Sequence, residues 1–295
     1  MLGATRGFFA AKGVMEVDCP ALSPLASVDP YIDLIPALLN GHERLFLHSS
    51  PEYGMKRLVS QGMGDIYQLS HVFRDNESSE RHRHEFTMIE WYRLGFTLQA
   101  MAEETCELIR LFVGQRASVT MSYREAFQRF AGVDPFVASV EEIRFALSRW
   151  GVEGLSDAIL ADPEALLDLT LSYLVQPSLD PEKLTIITHF PANQAALART
   201  VDLQGEVVAE RFEVYCRGLE LANGYRELTD PQEQERRFNV ANAARLKRGA
   251  ESLPMDTSLI EALREGLPDC SGVAVGFDRL MMIRHSVGEI GLVIH

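Results

Sequence analysis

The sequence predicts an α+β fold, a mainly antiparallel sheet flanked by helices. Three observations predict it. Strand-forming runs and helical periodicity both recur along the chain, but not in the strict alternation that a doubly wound parallel sheet requires. Helix starts are marked by side chains able to cap them. No internal repeat or low-complexity tract is present, which excludes a repeat architecture.

Taken in order, Val14–Val17 reads as a short strand. Ser50-Pro51-Glu52 supplies a cap residue, a first-turn proline and an acid ahead of a helix over Tyr53–Ser60, which Gly62 closes. Strand runs follow at Asp65–Arg74 and Glu85–Leu94, then helical spacing from Thr97 to about Gln115. Ser122 with Glu125 and Ser139 with Glu142 form capping-box patterns, for helices that stop near Gly132 and Gly151. Strands are expected at Leu184–His189, Val207–Cys216 and Leu219–Tyr225. Asp230-Pro231 opens a helix to about Lys247, and the strand Val273–Gly276 runs into a helix that opens near Asp278. Residues 133–182 are acidic and rich in Pro and Leu, and read as a helical elaboration within a single domain of 1–295.

The 295 residues carry 28 Lys+Arg against 42 Asp+Glu, a net charge of −14. That balance repels a broad nucleic-acid or anionic membrane surface but leaves room for a local basic pocket around a phosphate. Cys19, Cys106, Cys216 and Cys270 stand far apart with no CxxC pair, which excludes a recognisable zinc or disulfide framework and suits a reducing compartment. The opening residues lack an apolar signal core and no run approaches a bilayer span, so a soluble cytoplasmic protein is expected.

Three segments carry chemistry. In the first, Val72–Arg93, two strand-like runs flank a polar tip. If Glu85–Arg93 is extended, Phe86, Met88, Glu90 and Tyr92 share one face, a mixture that suits a cleft better than a dry core. Composition alone favours an exposed charged hairpin. Arg74, Arg81 and Arg83 present guanidinium forks suited to phosphate oxygens. In the second, Arg211–Glu227, Arg217-Gly218 forms a turn across which Glu213 and Glu220 meet. Two converging carboxylates call for a cation such as Mg²⁺, although an acidic hairpin in solvent fits the same spacing. Glu227 is a further candidate for a ligand amine. In the third, Cys270–Leu280, Gly272 and Gly276 let a ligand approach the backbone and Arg279 opens a helix. Packing alone also explains that pattern.

In chain order these segments resemble the three signature motifs of class II aminoacyl-tRNA synthetases, in the lysyl branch. Arg6-Gly7-Phe8-Phe9 with Gly13 through Leu22 is similar to motif 1, Phe73-Arg74 through Tyr92 to motif 2, and Gly272 through Arg279 to motif 3. His48-Ser49-Ser50-Pro51-Glu52-Tyr53, with Met55-Lys56-Arg57-Leu58, and Glu220-Leu221-Ala222-Asn223-Gly224-Tyr225-Arg226-Glu227-Leu228 resemble the lysyl type. Motif 1 begins within the first ten residues, so no anticodon-reading domain is expected ahead of it. Within the branch the chain therefore resembles the stand-alone paralogues that ligate (R)-β-lysine to elongation factor P.

The resemblance implies that Ser50, Pro51, Glu52, Tyr92 and Glu227 hold the amino acid, with Ala274 standing where lysyl-tRNA synthetases usually have Gly, a difference that goes with β-lysine preference. It implies that Arg74 grips the α-phosphate and that Phe86 and Arg279 sandwich adenine. Asp75, Asn76, Arg83, Glu220, Leu221 and Gly276 fall at further ATP positions, and Glu213 with Glu220 at the Mg²⁺ position. Arg74 and Arg279 would be the catalytic pair. The expected reaction is adenylation of (R)-β-lysine by ATP and transfer to a lysine of elongation factor P, by a homodimer that takes no tRNA. Asn76 stands in place of a usual Glu, with Glu77 adjacent, and Arg83 in place of a usual Asn. These departures imply altered nucleotide affinity rather than lost activity. A truncated lysyl-tRNA synthetase and a non-catalytic sensor of lysine or ATP are the competing readings.

Overall fold

In the structure, a computed structural model that describes residues 1–294, the chain separates into two units. One comprises Met1–Gly114 and the residues from Arg226 onward, the other Gln115–Tyr225. The first unit begins with α1 (Leu2–Ala11), β1 (Met15–Glu16), β2 (Leu22–Ser23), β3 (Pro36–Leu39) and β4 (Glu43–Leu47). It continues through α2 (Glu52–Ser60), β5 (Ile66–Phe73), β6 (Glu85–Leu94) and α3 (Leu98–Val113). The second unit holds β7 (Ser118–Ser122), α4 (Tyr123–Phe130), α5 (Val140–Ser148), α6 (Asp157–Leu160), α7 (Pro163–Thr170), a π-helical turn and α8 (Gln176–Ser178). Its strands β8 (Leu184–Pro191), β9 (Thr200–Leu203), β10 (Glu206–Cys216) and β11 (Leu219–Arg226) follow. The chain closes in the first unit with α9 (Pro231–Lys247), α10 (Thr257–Gly266), β12 (Cys270–Gly276) and α11 (Phe277–His285).

Antiparallel pairing dominates, as the sequence predicts. In the first unit β5–β6 and β6–β12 are antiparallel and only the two-residue β1 runs parallel, to β5. In the second, β10 pairs antiparallel with β8, β9 and β11, and β7 parallel with β8. Both capping boxes form: Ser122 and Ser139 accept the Glu125 and Glu142 amides while those carboxylates accept the cap amides. Strand β12 begins at Cys270, three residues before the expected start, because Cys270 and Ser271 complete the ladder opposite Leu94 and Arg93. The three-stranded sheet β2-β4-β3 is not among the sequence expectations. Its β3–β4 connection carries Asn40 and Gly41 at φ of 54° and 77°, the left-handed pair that an Asn-Gly dipeptide favours.

Segment 133–182 is helical, as expected. Its buried Ile143, Leu147, Leu166 and Leu174 pack with Phe127 of α4, Ile187 and Phe190 of β8 and Tyr215 of β10. It thus supplies one layer of the second unit's core. No helix among the described residues is long and apolar enough to cross a membrane.

Candidate active site

Strand β6 organises the first cluster. Its period of two places Phe86, Met88, Glu90 and Tyr92 on one face, and the neighbouring strands extend that face. Gln68 of β5 and Ala274 of β12 stand opposite Glu90, and Ile66 and Gly272 opposite Tyr92. The reverse face buries Ile89 and Trp91, and Trp91 Nε1 donates to Glu104 of α3 at 3.1 Å. A strand with apolar residues on one face and a carboxyl and a phenol on the other gives the site a rigid floor.

Around that floor three carboxyl groups gather with one ammonium. Ser50 Oγ donates to Glu90 Oε2 at 2.6 Å, and the Tyr92 hydroxyl donates to Oε1 at 2.9 Å. Pro51, not Ser50, stands at the cap position of α2, one residue later than the sequence predicts; Ser50 lies in the turn before it, where its oxygen accepts the Glu52 amide at 3.0 Å while its hydroxyl fixes Glu90. Lys56, one turn along α2, reaches Glu52 at 2.7 Å and Glu227 at 2.6 Å. Lys56 and Glu227 are each only 1% exposed, so this ion pair is dry. Burial alone would lower the lysine, but Glu227 and Glu52 override it and hold the ammonium above its usual range. Burial pushes the Glu227 carboxyl up to about 7, against the pull of Lys56. Burial, then the charge of Glu52, pushes Glu90 up to about 8 although two hydroxyls favour its anion.

Gly272 has a different use from the one its sequence context implies. A Cβ there would lie 2.4 Å from Glu227 Oε1 and 2.4 Å from Tyr92 Cε1. The space a glycine leaves is filled by the protein's own carboxylate and phenol, which is how both reach the pocket. Ala274, beside Glu90, is half-buried on the same face.

A basic cluster stands at the other end of β6. Arg74, just past β5, lies over the Phe86 ring at 5.2 Å and pairs with Glu77 at 3.6 Å. Asp75 donates its amide to the Asp33 carbonyl and accepts the Asn76 amide on its carboxylate, at 2.8 Å each. Asn76 sits at φ 59°, a left-handed conformation that asparagine tolerates better than glutamate does. Arg83 Nη1 donates to the Ser79 and His82 carbonyls, which ties it to its own loop. Arg279, in the first turn of α11, lays its stem over Gly276 and brings Nη2 within 2.7 Å of His82 Nε2. Its neighbour Asp278 accepts the Thr87 amide at 2.6 Å and so anchors the start of α11 to β6.

In the second unit Arg211, Glu213 and Tyr215 follow one another along β10. Glu213 is buried, and accepts from Arg211 Nη2 and from the Tyr215 hydroxyl. Burial raises its carboxyl to about 7; Arg211 opposes that shift and Glu220 adds to it. Arg211 is held by the Gln194 carbonyl at 2.8 Å, Asn223 at 3.2 Å and the Phe190 ring at 4.4 Å. Glu220 is half-buried opposite Tyr215, and Leu221 is buried next to it. Among the described residues no three or more His, Cys, Asp or Glu side chains are arranged to hold a metal ion by themselves. Two carboxylates with mutual repulsion still fit Mg²⁺, which takes one or two carboxylates and completes its shell with phosphates and water.

The sequence gives Lys56 and Arg211 no site role, although each lies within a motif segment and belongs to a local pattern. Lys56 lies four residues after Glu52 on a predicted helix, and Arg211 two residues before Glu213 on a predicted strand.

The whole chain, residues 1–295, matches the family model described as tRNA synthetases class II (D, K and N). A protein of Enterobacter sp. (strain 638) named elongation factor P–(R)-β-lysine ligase is 40% identical over 296 residues, 98% of this chain and 90% of its own length. Proteins of the same name from Salmonella dublin and Salmonella arizonae are 41% and 42% identical, over 96% and 94% of this chain and 88% and 86% of their own. With its motif residues set on one sheet face and a match along its full length, the chain belongs to the class II tRNA synthetase family of the D, K and N type.

Proposed function

We propose that this chain is an ATP-dependent ligase that activates (R)-β-lysine as an aminoacyl-adenylate and transfers it to a lysine side chain of elongation factor P. The observation that carries the amino-acid half is the buried cluster of Glu52, Glu90 and Glu227 with Ser50, Tyr92 and Lys56. Three carboxyl groups and a single ammonium leave negative charge for a substrate with two amines. The name shared by the relatives supports elongation factor P as the acceptor.

The substrate carboxylate attacks the α-phosphorus of ATP and pyrophosphate leaves. The acceptor amine then attacks the acyl carbon, loses its proton, and AMP leaves. Neither step needs a protein nucleophile; each needs reactants held in line and phosphate charge neutralised. Arg74 serves the α-phosphate, exchanging Glu77 for a stronger anionic partner, and Phe86 and Arg279 bracket adenine. Ser50, Pro51, Glu52, Tyr92 and Glu227 hold the amino acid, with Ala274 beside Glu90. Glu213 and Glu220 would hold Mg²⁺, which supplies further charge neutralisation when bound.

We place the enzyme in the cytoplasm as a homodimer formed through its N-terminal segment. Exposed Leu2, Met15, Leu22, Leu38 and Leu39 support that face. Sedimentation of the purified protein as a monomer at micromolar concentration would remove the dimer from the proposal. The activity is tested by pyrophosphate exchange with (R)-β-lysine, α-lysine or no amino acid, and by the intact mass of co-expressed elongation factor P. Exchange driven by α-lysine alone would overturn the substrate assignment, and an unchanged mass the acceptor.

A further inference from the structure

Glu90 differs from the two acids beside it. Glu52 and Glu227 share the Lys56 ammonium, whereas Glu90 receives only the hydroxyls of Ser50 and Tyr92. Those hydroxyls satisfy its lone pairs but cannot neutralise an anion. The groups that face it are identified strand by strand. From β5 comes Gln68, whose amide is engaged by the Cys19 backbone and Ser70. The buried Cys19 thiol lies nearby, raised to about 11 by its own burial and only slightly by Glu90. From α2 come Glu52 and, behind it, Lys56; from β6 itself Tyr92; from β12 the neutral Ala274; and after β11 Glu227. Among the described residues no cation contacts Glu90. With Glu52 and Glu227 ionised against the Lys56 ammonium, the cluster carries one net negative charge while Glu90 is neutral and two once Glu90 ionises, the number that matches the two ammonium groups of a diamino acid.

We propose that Glu90 stands as a neutral carboxylic acid in the free enzyme and gives its proton to solvent as the second ammonium of the substrate arrives, so that binding a diamino acid releases a proton. The O–H bond of the carboxyl breaks, the proton passes to buffer, and the carboxylate left behind pairs with the ammonium. Burial of Glu90, then the like charges at Glu52 and Glu227, disfavour the anion before binding. A cation brought to 3–4 Å reverses the preference. This inference rests on the pocket taking a diamino acid, and it adds the protonation state in which it does so.

Calorimetric titration of the full chain with (R)-β-lysine and with α-lysine, in phosphate and in Tris, counts the protons exchanged. A carboxyl titrating at about 8 is roughly nine-tenths protonated at pH 7 and roughly one-tenth at pH 9. The wild type should therefore release close to one proton per bound substrate at pH 7 and far less at pH 9. Glu90→Gln should release close to one proton fewer than the wild type at pH 7, the remainder coming from Glu227 and the substrate, and should differ little from it at pH 9. Should that variant fail to bind, infrared difference spectra of the wild type keep the test open, because the carbonyl band of a protonated carboxyl must disappear on binding. A binding heat at pH 7 that is the same in both buffers, or a carboxyl band that persists, overturns the proton release and leaves the pocket reading intact. No heat with either amino acid overturns both.

Discussion

Replacing Lys56 by methionine keeps an unbranched side chain of similar length and removes the one ammonium of the acid cluster. Lys56 is 1% exposed and Glu227, its partner at 2.6 Å, is equally buried. Removing one member of a buried ion pair leaves the other as an uncompensated charge, at a cost of about 3–5 kcal/mol. That is a large share of the roughly 5–15 kcal/mol by which a domain is stable. An exposed i,i+4 pair would cost only a few tenths, so the measured value distinguishes a surface role from the buried one.

The pH dependence gives a second, independent check. Burial already raises the Glu227 carboxyl to about 7 with Lys56 in place, and without that attraction it must rise further. In the unfolded chain a glutamate titrates at about 4.3. Between those values the folded state binds more protons than the unfolded one, so stability falls as pH rises, and falls further in the variant. Urea unfolding followed at about pH 5 and pH 8 should show the gap between wild type and Lys56→Met widening with pH. A gap that is constant across that range would mean that lost packing, not charge, sets the cost, and the account of the cluster given above would be wrong.

Gly272→Ala places a methyl group 2.4 Å from Glu227 Oε1 and Tyr92 Cε1, so amino-acid KM in pyrophosphate exchange should rise at least tenfold, about 1.4 kcal/mol, while ATP KM changes little. Arg211→Met strands buried Glu213 and should cost about 3–5 kcal/mol in urea unfolding, most of it recovered when Glu213→Leu is added; a double variant no more stable than the single one would remove the pair from the argument. Arg279→Ala should abolish pyrophosphate exchange and leave unfolding nearly unchanged, because its contact with His82 lies in a loop outside the core. Surviving modification of elongation factor P in that variant would refute the nucleotide-site reading.

What the sequence made legible, and what it hid, follows from the range of the physics involved. The caps at Ser122 and Ser139 involve atoms three residues apart, so the pattern is complete within the sequence itself. The alternation Phe86, Met88, Glu90, Tyr92 is equally local, and it placed one whole face of the site. Lys56 was hidden by the opposite property. Its helical partner Glu52 is visible as an i,i+4 pair, the arrangement of an ordinary solvated helix face, whereas Glu227 reaches it only through tertiary packing. Gly272 follows the same logic, since its contacts Tyr92 and Glu227 come from distant segments. The sequence and its resemblance assign Glu52 and Glu227 to the ligand and place Glu90 on the same cleft face. The fold assigns part of that negative charge to its own lysine. On the proposed reading of the pocket, the charge that remains once Glu90 ionises matches a substrate with two amines, so selectivity for a diamino acid would be set by the internal ammonium and Glu90 together rather than by the number of carboxylates.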